Sequence, residues 1–245
     1  EDWKFGLVDA QRRPKKAYFE AQHLFKDTHR VPLARYPSVS VVVCSYNGGR
    51  TLEACLTSLL QMDYPDFEVI LVDDGSTDDT PRIVEEFLGQ NHYGKGGPTI
   101  KIIRQANLGL SVARNVGMQA ARGEIIAYTD SDCMADKDWL YYLVGTLEQG
   151  DYLAVGGPNI SPPAQSWAQA CVAASPGQPS HVLIGDAEAE HIPGCNMAFY
   201  KWALEAIGGF DSEYRKAGDD VDVCWRLMAQ GHRIAFSPAA GVWHH

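Results

Sequence analysis

The sequence predicts an α/β fold, a mostly parallel sheet flanked by helices. Two observations carry that expectation. Strand-like, β-branched runs alternate with stretches of helical periodicity between residues 38 and 129, the pattern of βαβ units. The length, 245 residues, against ~150 residues per domain, predicts one large domain plus an appendage. Such a chain buries roughly 70% of its unfolded surface and needs no disulfide or metal staple.

The elements follow in order. Ser38–Cys44 is a β-branched run and reads as the first strand, and Thr51–Gln61 carries apolar residues at helical spacing. Phe67–Val72 is the second strand. Thr77-Asp78-Asp79-Thr80-Pro81 starts a helix that runs to about Leu88. Thr99–Arg104 reads as the third strand, Leu110–Ala121 as a helix closed by Arg122-Gly123, and Glu124–Thr129 as the fourth strand. The second half is less regular and predicts a smaller, mixed region. It has Pro-rich stretches at Pro158–Pro163 and Ser175–Pro179 and a helix at Asp220–Gln230, expected to bury Val221, Cys224, Trp225 and Met228. Residues 1–36 differ. They hold the basic run Gln11-Arg12-Arg13-Pro14-Lys15-Lys16 and a helix-like stretch from Ala17 to Phe25, and Arg35-Tyr36-Pro37 reads as a linker. The expected division is therefore an extension over 1–36 and a main domain over 37–245.

Composition excludes several classes. Lys+Arg number 21 against 31 Asp+Glu, a net charge of −10, which argues against nucleic acid or an anionic membrane as main partner. The longest apolar runs, around Val39–Cys44 and Ile125–Tyr128, are strand-sized, far short of the ~20 residues of a membrane span. The chain starts at Glu1 and stops at His244-His245. It is expected to be a piece of a longer protein, with any membrane association supplied by segments outside it. The six cysteines show no C-x-x-C spacing and mostly occupy apolar stretches. They are expected to be reduced and buried, which points to a cytoplasmic setting, including the cytoplasmic face of a membrane.

Open α/β sheets bind ligands at the carboxyl ends of their strands. The first strand ends in Cys44-Ser45-Tyr46-Asn47-Gly48-Gly49, the second in Asp73-Asp74-Gly75-Ser76, the fourth in Asp130-Ser131-Asp132. Each alone has an ordinary structural reading: Asp-Gly-Ser/Thr is a turn and helix start. Together they place three polar, largely acidic segments on one rim. Paired carboxylates after a buried strand call for a compensating charge, and a divalent cation with oxygen ligands supplies it.

These residues carry a resemblance. Val41-Val42-Val43-Cys44-Ser45-Tyr46-Asn47 and Val72-Asp73-Asp74-Gly75-Ser76-Thr77-Asp78 resemble the opening of the family 2 glycosyltransferases of GT-A fold. Asn107–Gly117 matches a further motif, and Asp130-Ser131-Asp132 its metal-binding D-x-D. Gly194–Phe199, Gly208-Gly209-Phe210-Asp211 and Gly218-Asp219-Asp220-Val221-Asp222 match its acceptor-side segments. The motifs run in the family's order across residues 37–245.

The resemblance implies an inverting, metal-dependent enzyme that uses a nucleotide-diphosphate sugar, by default a UDP-sugar, with Mn²⁺ or Mg²⁺. The acceptor would be a saccharide or a lipid-linked hydroxyl, in polysaccharide or glycoconjugate synthesis. It assigns Ser45, Tyr46, Asn47, Asp73, Asp74, Arg114 and Asp130 to the donor nucleotide. Tyr46 would offer a stacking face and Asp74 would accept from a base edge; Arg114 has a surface ion pair as its equal alternative. Asp132 is the implied metal ligand, with Asp130 reaching the ribose or the metal through water and His244 completing the shell. Asp220, in the Asp219-Asp220 pair, would be the general base. Two carboxylates at a helix start are partly stabilised by the helix dipole, and the family's first acidic residue is here Asp rather than Glu. Gly194, Cys195, Asn196, Phe210 and Asp219 are implied on the acceptor and donor-sugar side, and Phe210, with Trp167 and Trp202 as weaker candidates, would stack on the sugar. Phe5-Gly6-Leu7-Val8-Asp9 and Arg12–Tyr18 resemble the closing segment of a TIM-barrel glycoside hydrolase.

Three other classes compete. A D-x-D phosphatase would use Asp130 as nucleophile, but its motif opens on the first strand, whereas here it follows the fourth. A nucleotidyltransferase would want a basic Gly-rich loop after the first strand, faintly echoed by Asn47-Gly48-Gly49-Arg50. A non-catalytic nucleotide-sugar-binding module would not need Asp132 and Asp220 together.

Overall fold

The computed structural model describes residues 14–16, 18–19, 32–89, 97–161, 164, 166–173 and 181–244. The chain divides into two units, Glu1–Arg35 and Tyr36–His245. Phe5–Asp9, the Arg12-Arg13 pair, residues 17 and 20–25 of the expected N-terminal helix, Ser175–Pro179 and His245 lie outside the described residues.

Within the second unit β1 (Val39–Ser45), α1 (Leu52–Leu60), β2 (Phe67–Asp73), α2 (Thr80–Gly89), β3 (Thr99–Arg104), α3 (Leu110–Ala120) and β4 (Ile125–Asp130) form three successive crossovers. The strands end within a residue of their expected bounds because the apolar runs fix them: all seven residues of β1 are buried. The start of α2 moves from Thr77 to Thr80. The backbone N–H groups of Thr77 and Asp78 are drawn to the Asn47 side chain instead of a helix.

A seven-stranded sheet has the order β11-β6-β10-β4-β1-β2-β3. β3, β2, β1 and β4 are parallel. β10 (Met197–Tyr200) runs antiparallel between β4 and β6 (Tyr152–Gly156), and β11 (Arg233–Phe236) pairs parallel with β6. A second sheet joins β5 (Cys133–Ala135), β12 (Val242–His244) and β7 (Asn159–Ile160). The hairpin of β8 (Val182–Leu183) and β9 (Ala189–His191), and helices α4 (Trp139–Glu148), α5 (Trp167–Ala173), α6 (Lys201–Ala206) and α7 (Asp219–Ala229), complete the unit. Among the described residues no helix is long and apolar enough to cross a membrane.

The expected buried stripe of α7 is corrected. Val223, Cys224 and Leu227 are buried, while Trp225 is exposed and donates its indole N–H to Glu190. The i, i+3, i+4, i+7 spacing holds, but it is counted from Asp220 rather than Val221. All six cysteines are free; Cys171 is exposed and the other five are buried.

Helix α3 lies close on the sheet at Gly117, where a Cβ would sit 2.3 Å from Val42 Cγ1. The amino ends of β1 and β2 are tied by a polar knot. Buried Glu68 accepts from Ser40 Oγ at 2.7 Å and from the Arg122 backbone N–H at 2.9 Å, with the Arg122 guanidinium at 2.8 Å. Burial by itself pushes the Glu68 carboxyl up, but these Arg122 and Ser40 bonds outweigh it and hold the group below its ordinary 4.5.

Two predictions follow from this packing. Gly117→Ala, normally favourable in a helix, is expected to cost ~1–3 kcal/mol by overpacking, and Val42→Ala should recover part of that loss in urea unfolding. Because its folded pKa is depressed, Glu68 stabilises the fold above pH 4.5 and loses that contribution as pH falls through the folded value. Glu68→Gln should therefore lower the melting temperature at pH 7 and leave a smaller difference from the wild type near pH 3.

Candidate active site

The parallel strands deliver their carboxyl ends to one rim. There the loop after β1 and the loop after β2 are sewn together by Asn47. Its backbone N–H donates to Ser76 Oγ at 2.9 Å, and its Oδ1 accepts from the Thr77 N–H at 2.8 Å. Asn47 holds a positive φ of 54°, which Asn tolerates better than most residues. Asp73, buried, accepts the Ser76 N–H at 2.9 Å. Asp74, also buried, accepts from Gln105 Nε2 and from the Leu108 and Gly109 N–H groups at 2.7–2.9 Å. Its carboxylate thus fixes the loop that leads into α3, and a base edge would share an oxygen already accepting a backbone bond.

A cleft of about 460 Å³ opens here, lined by Ser45, Tyr46, Asp74, Asn107, Leu110 and Lys216 among others. Tyr46 is exposed, and Ser45 is 2% exposed with no hydrogen-bond partner for its hydroxyl among the described residues. A Cβ on Gly48 would fall 2.5 Å from Ser45 Oγ and 2.8 Å from Ser131 Oγ, so the β1 loop presses directly on the D-x-D turn. A larger cleft, about 600 Å³, lies at the other end of the sheet beside Ser38, Glu68 and Arg122. In open α/β sheets the carboxyl ends bind ligand, which makes the smaller cleft the candidate site.

Arg114 joins the two halves of the rim. It is buried, and its Nη1 donates to Asp219 Oδ2 at 2.5 Å. Its Nη2 donates to the Gly194 carbonyl at 3.1 Å and lies 3.5 Å from Asp130 Oδ1. Burial opposes the charge on Arg114, but Asp219 and Asp130 outweigh it and raise its pKa. Arg114 is therefore half of a buried ion pair, where its alternative role was expected to be a surface one. Gly194 continues the chain of contacts: its N–H donates to Asp220 Oδ2 at 2.9 Å. Asp220 Oδ1 accepts the Val221 N–H at 3.0 Å, and each of its oxygens keeps a free lone pair.

On the other side Asp132 and His244 meet, His244 Nε2 lying 3.6 Å from Asp132 Oδ1. With Cys133 they bring one donor atom each within 4.8 Å of one another. This oxygen, nitrogen and sulfur set suits a divalent cation. Burial pushes the neighbouring Asp130 carboxyl up; Arg114 and His244 pull it down, Asp132 and Asp219 push it further, and the net shift is upward.

Several expected acceptor-side residues sit deeper than the sequence suggested. Phe210 is 2% exposed and packs edge-on to Tyr128 and Phe199, so its ring is core and offers no face for a sugar. Cys195 and Asn196 are buried; Asn196 accepts from Trp139 Nε1 and donates to the carbonyls of Pro158 and Ala240. Asp219 belongs to Arg114. Trp167 and Trp202 are exposed, the latter stacked on Tyr200. Sequence reasoning missed Arg215 and Lys216, cations that line the cleft. The Arg215 carbonyl accepts the Leu110 N–H, and their sequence signal was a basic pair just before the acidic motif.

The site is thus an acidic rim on a 3-2-1-4 parallel sheet with an antiparallel strand beyond it. The family model described as glycosyl transferase family 2 matches residues 40–207, and the chain belongs to that family. It is 28% identical over 226 residues to a glucosyl-dolichyl phosphate glucuronosyltransferase of Haloferax volcanii, covering 84% of this chain and 68% of the relative. It is 27% identical to a poly-β-1,6-N-acetyl-D-glucosamine synthase of Staphylococcus epidermidis, covering 94% of this chain and 54% of that one. A mannosyltransferase from Pyrobaculum calidifontis, solved with GDP-Man and Mn²⁺, superposes with TM-score 0.68 at 24% identity, over 93% of this chain and 63% of the other. Staphylococcus aureus TarS 1-349, solved with UDP, gives 0.65 at 22%, over 84% and 60%. These likenesses establish the GT-A fold. The chain thus spans between about half and two thirds of the length of these four proteins.

Because Ser45 Oγ has no hydrogen-bond partner among the described residues, Ser45→Ala is expected to leave the melting temperature unchanged or slightly higher, since a buried unpaired hydroxyl costs free energy. Thermal unfolding followed by circular dichroism checks it.

Proposed function

We propose that this chain transfers a sugar from a nucleotide-diphosphate sugar, a UDP-sugar, to a saccharide or lipid-linked hydroxyl, with inversion at the anomeric carbon. One observation carries the reading. A continuous set of contacts runs from Asp130 through Arg114 and the two sides of the Gly194 peptide to Asp220. It fixes a donor-side acid and a candidate base on one frame.

In this reading the cleft at Ser45, Tyr46 and Asp74 holds the nucleoside, with the Ser45 hydroxyl free to bond it. Arg215 and Lys216 face the diphosphate. Asp132 and His244, joined by Asp130, would hold a divalent cation, Mn²⁺ or Mg²⁺, which would supply positive charge against the leaving diphosphate. Asp220 takes the proton from the acceptor hydroxyl as that oxygen bonds to the anomeric carbon, and the bond from that carbon to the phosphate oxygen breaks. No covalent intermediate forms. The names of the Haloferax and Staphylococcus relatives favour a polysaccharide or glycoconjugate product. Membrane association, if the whole protein has it, comes from segments outside this chain, which would work at the cytoplasmic face.

Calorimetric titration with UDP and GDP tests the reading, with Mn²⁺ or Mg²⁺ and then with EDTA. Metal-dependent binding of UDP, lost in Asp132→Ala and weakened ~10-fold in Ser45→Ala by loss of one hydrogen bond, is the expected result. Binding of neither nucleotide under any metal condition contradicts it. Asp220→Asn is expected to lower kcat by ~10²–10⁴-fold, the usual worth of a general base, while the Kd for UDP stays within a factor of about two. A parallel loss of UDP binding would move Asp220 out of the base role.

A further inference from the structure

Asn196 has no exposed surface, so its carboxamide must find its partners inside the protein. Its Oδ1 accepts from Trp139 Nε1 at 2.8 Å, and its Nδ2 donates to the carbonyls of Pro158 at 3.0 Å and Ala240 at 2.7 Å. The amide fits only one way round, because an indole N–H needs an oxygen and two carbonyls need a nitrogen. These partners come from separate places. Trp139 opens α4, Pro158 lies just before β7, and Ala240 leads through Gly241 into β12. Asn196 itself closes a turn, its backbone N–H donating to the Pro193 carbonyl at 2.9 Å. That turn carries the Gly194 peptide, which meets Arg114 and Asp220.

The crossing is tightly packed. A Cβ on Gly157 would fall 2.0 Å from the Ala240 carbonyl oxygen and 2.9 Å from Asn196 Nδ2. The Val242 N–H donates to the Pro158 carbonyl at 3.1 Å, so the two segments that Asn196 holds also hold each other. β12 ends at His244, whose Nε2 lies 3.6 Å from Asp132 Oδ1. Metal–ligand distances are held to within ~0.2 Å, so a small shift of β12 would part His244 from a cation on Asp132.

We propose that Asn196 is a positioning residue for the metal side of the site: its carboxamide sets β12 against the Pro193–Asn196 turn and so brings His244 to Asp132, while the same turn presents Gly194 to Asp220. The inference rests on reading Asp132 and His244 as the metal residues.

Mn²⁺ binding to the full chain with UDP present, read from the loss of the free-ion electron paramagnetic resonance signal, tests it. The chains compared are the wild type, Asn196→Asp, His244→Ala and the double variant. Asn196→Asp keeps the shape and the bond from Trp139 but turns an oxygen toward two carbonyls. Mn²⁺ affinity is expected to fall about 10-fold in Asn196→Asp, the low end for groups that orient metal ligands. It should fall no further in the double variant than in His244→Ala alone. Affinity within twofold of the wild type in Asn196→Asp overturns the inference. So does a loss that multiplies in full with that of His244→Ala, as a general loosening of the fold would. No Mn²⁺ binding in the wild type, or wild-type affinity in His244→Ala, overturns the metal reading and the inference together. Should the Asn196 variants fail to fold, the wild type decides. Coupling is reciprocal, so Mg²⁺ with UDP should slow hydrogen exchange of the Asn196 side-chain amide, measured by nuclear magnetic resonance, and an unchanged rate overturns the inference.

Discussion

One buried guanidinium organises this molecule. Arg114 has been taken out of water, a cost that only good partners offset. Asp219 supplies the closest, Gly194 a carbonyl and Asp130 a longer ion pair. Each partner comes from a different part of the chain: the carboxyl end of β4, the turn before β10 and the first turn of α7. Removing the charge would strand Asp219 at 2% exposure. The antiparallel half of the sheet is thereby locked to the parallel half at the height where the carboxylates stand.

That lock explains the division of labour between adjacent acids. Asp219 is committed to Arg114, whereas Asp220 accepts the Gly194 and Val221 N–H groups, one on each oxygen. In the same way Asp73 and Asp74 accept backbone N–H groups and shape the cleft, while the Ser45 hydroxyl has no partner among the described residues and Tyr46 is exposed.

Much of this was legible in the sequence. The strands from β1 to β4 announce themselves because runs such as Val39–Cys44 are apolar on both faces, as buried parallel strands are. The site motifs were legible as clusters at strand ends. What the sequence hid were the partners. Nothing local distinguishes a buried Arg114 from a surface one; its burial follows from Asp219, 105 positions away. Phe210 looked available because it sits among glycines, yet those turns fold it inward against Tyr128. The stripe of α7 was misread by one position because Val221 and Val223 offer two nearly equal apolar registers.

The most direct test is a double-mutant cycle on Arg114→Met and Asp219→Leu, read by urea unfolding. Each single variant strands a buried charge and is expected to cost ~3–5 kcal/mol. The double variant should be no worse than either single one, giving a coupling energy of several kcal/mol. Costs that add to within ~0.5 kcal/mol would contradict the account and show that the two groups do not depend on one another.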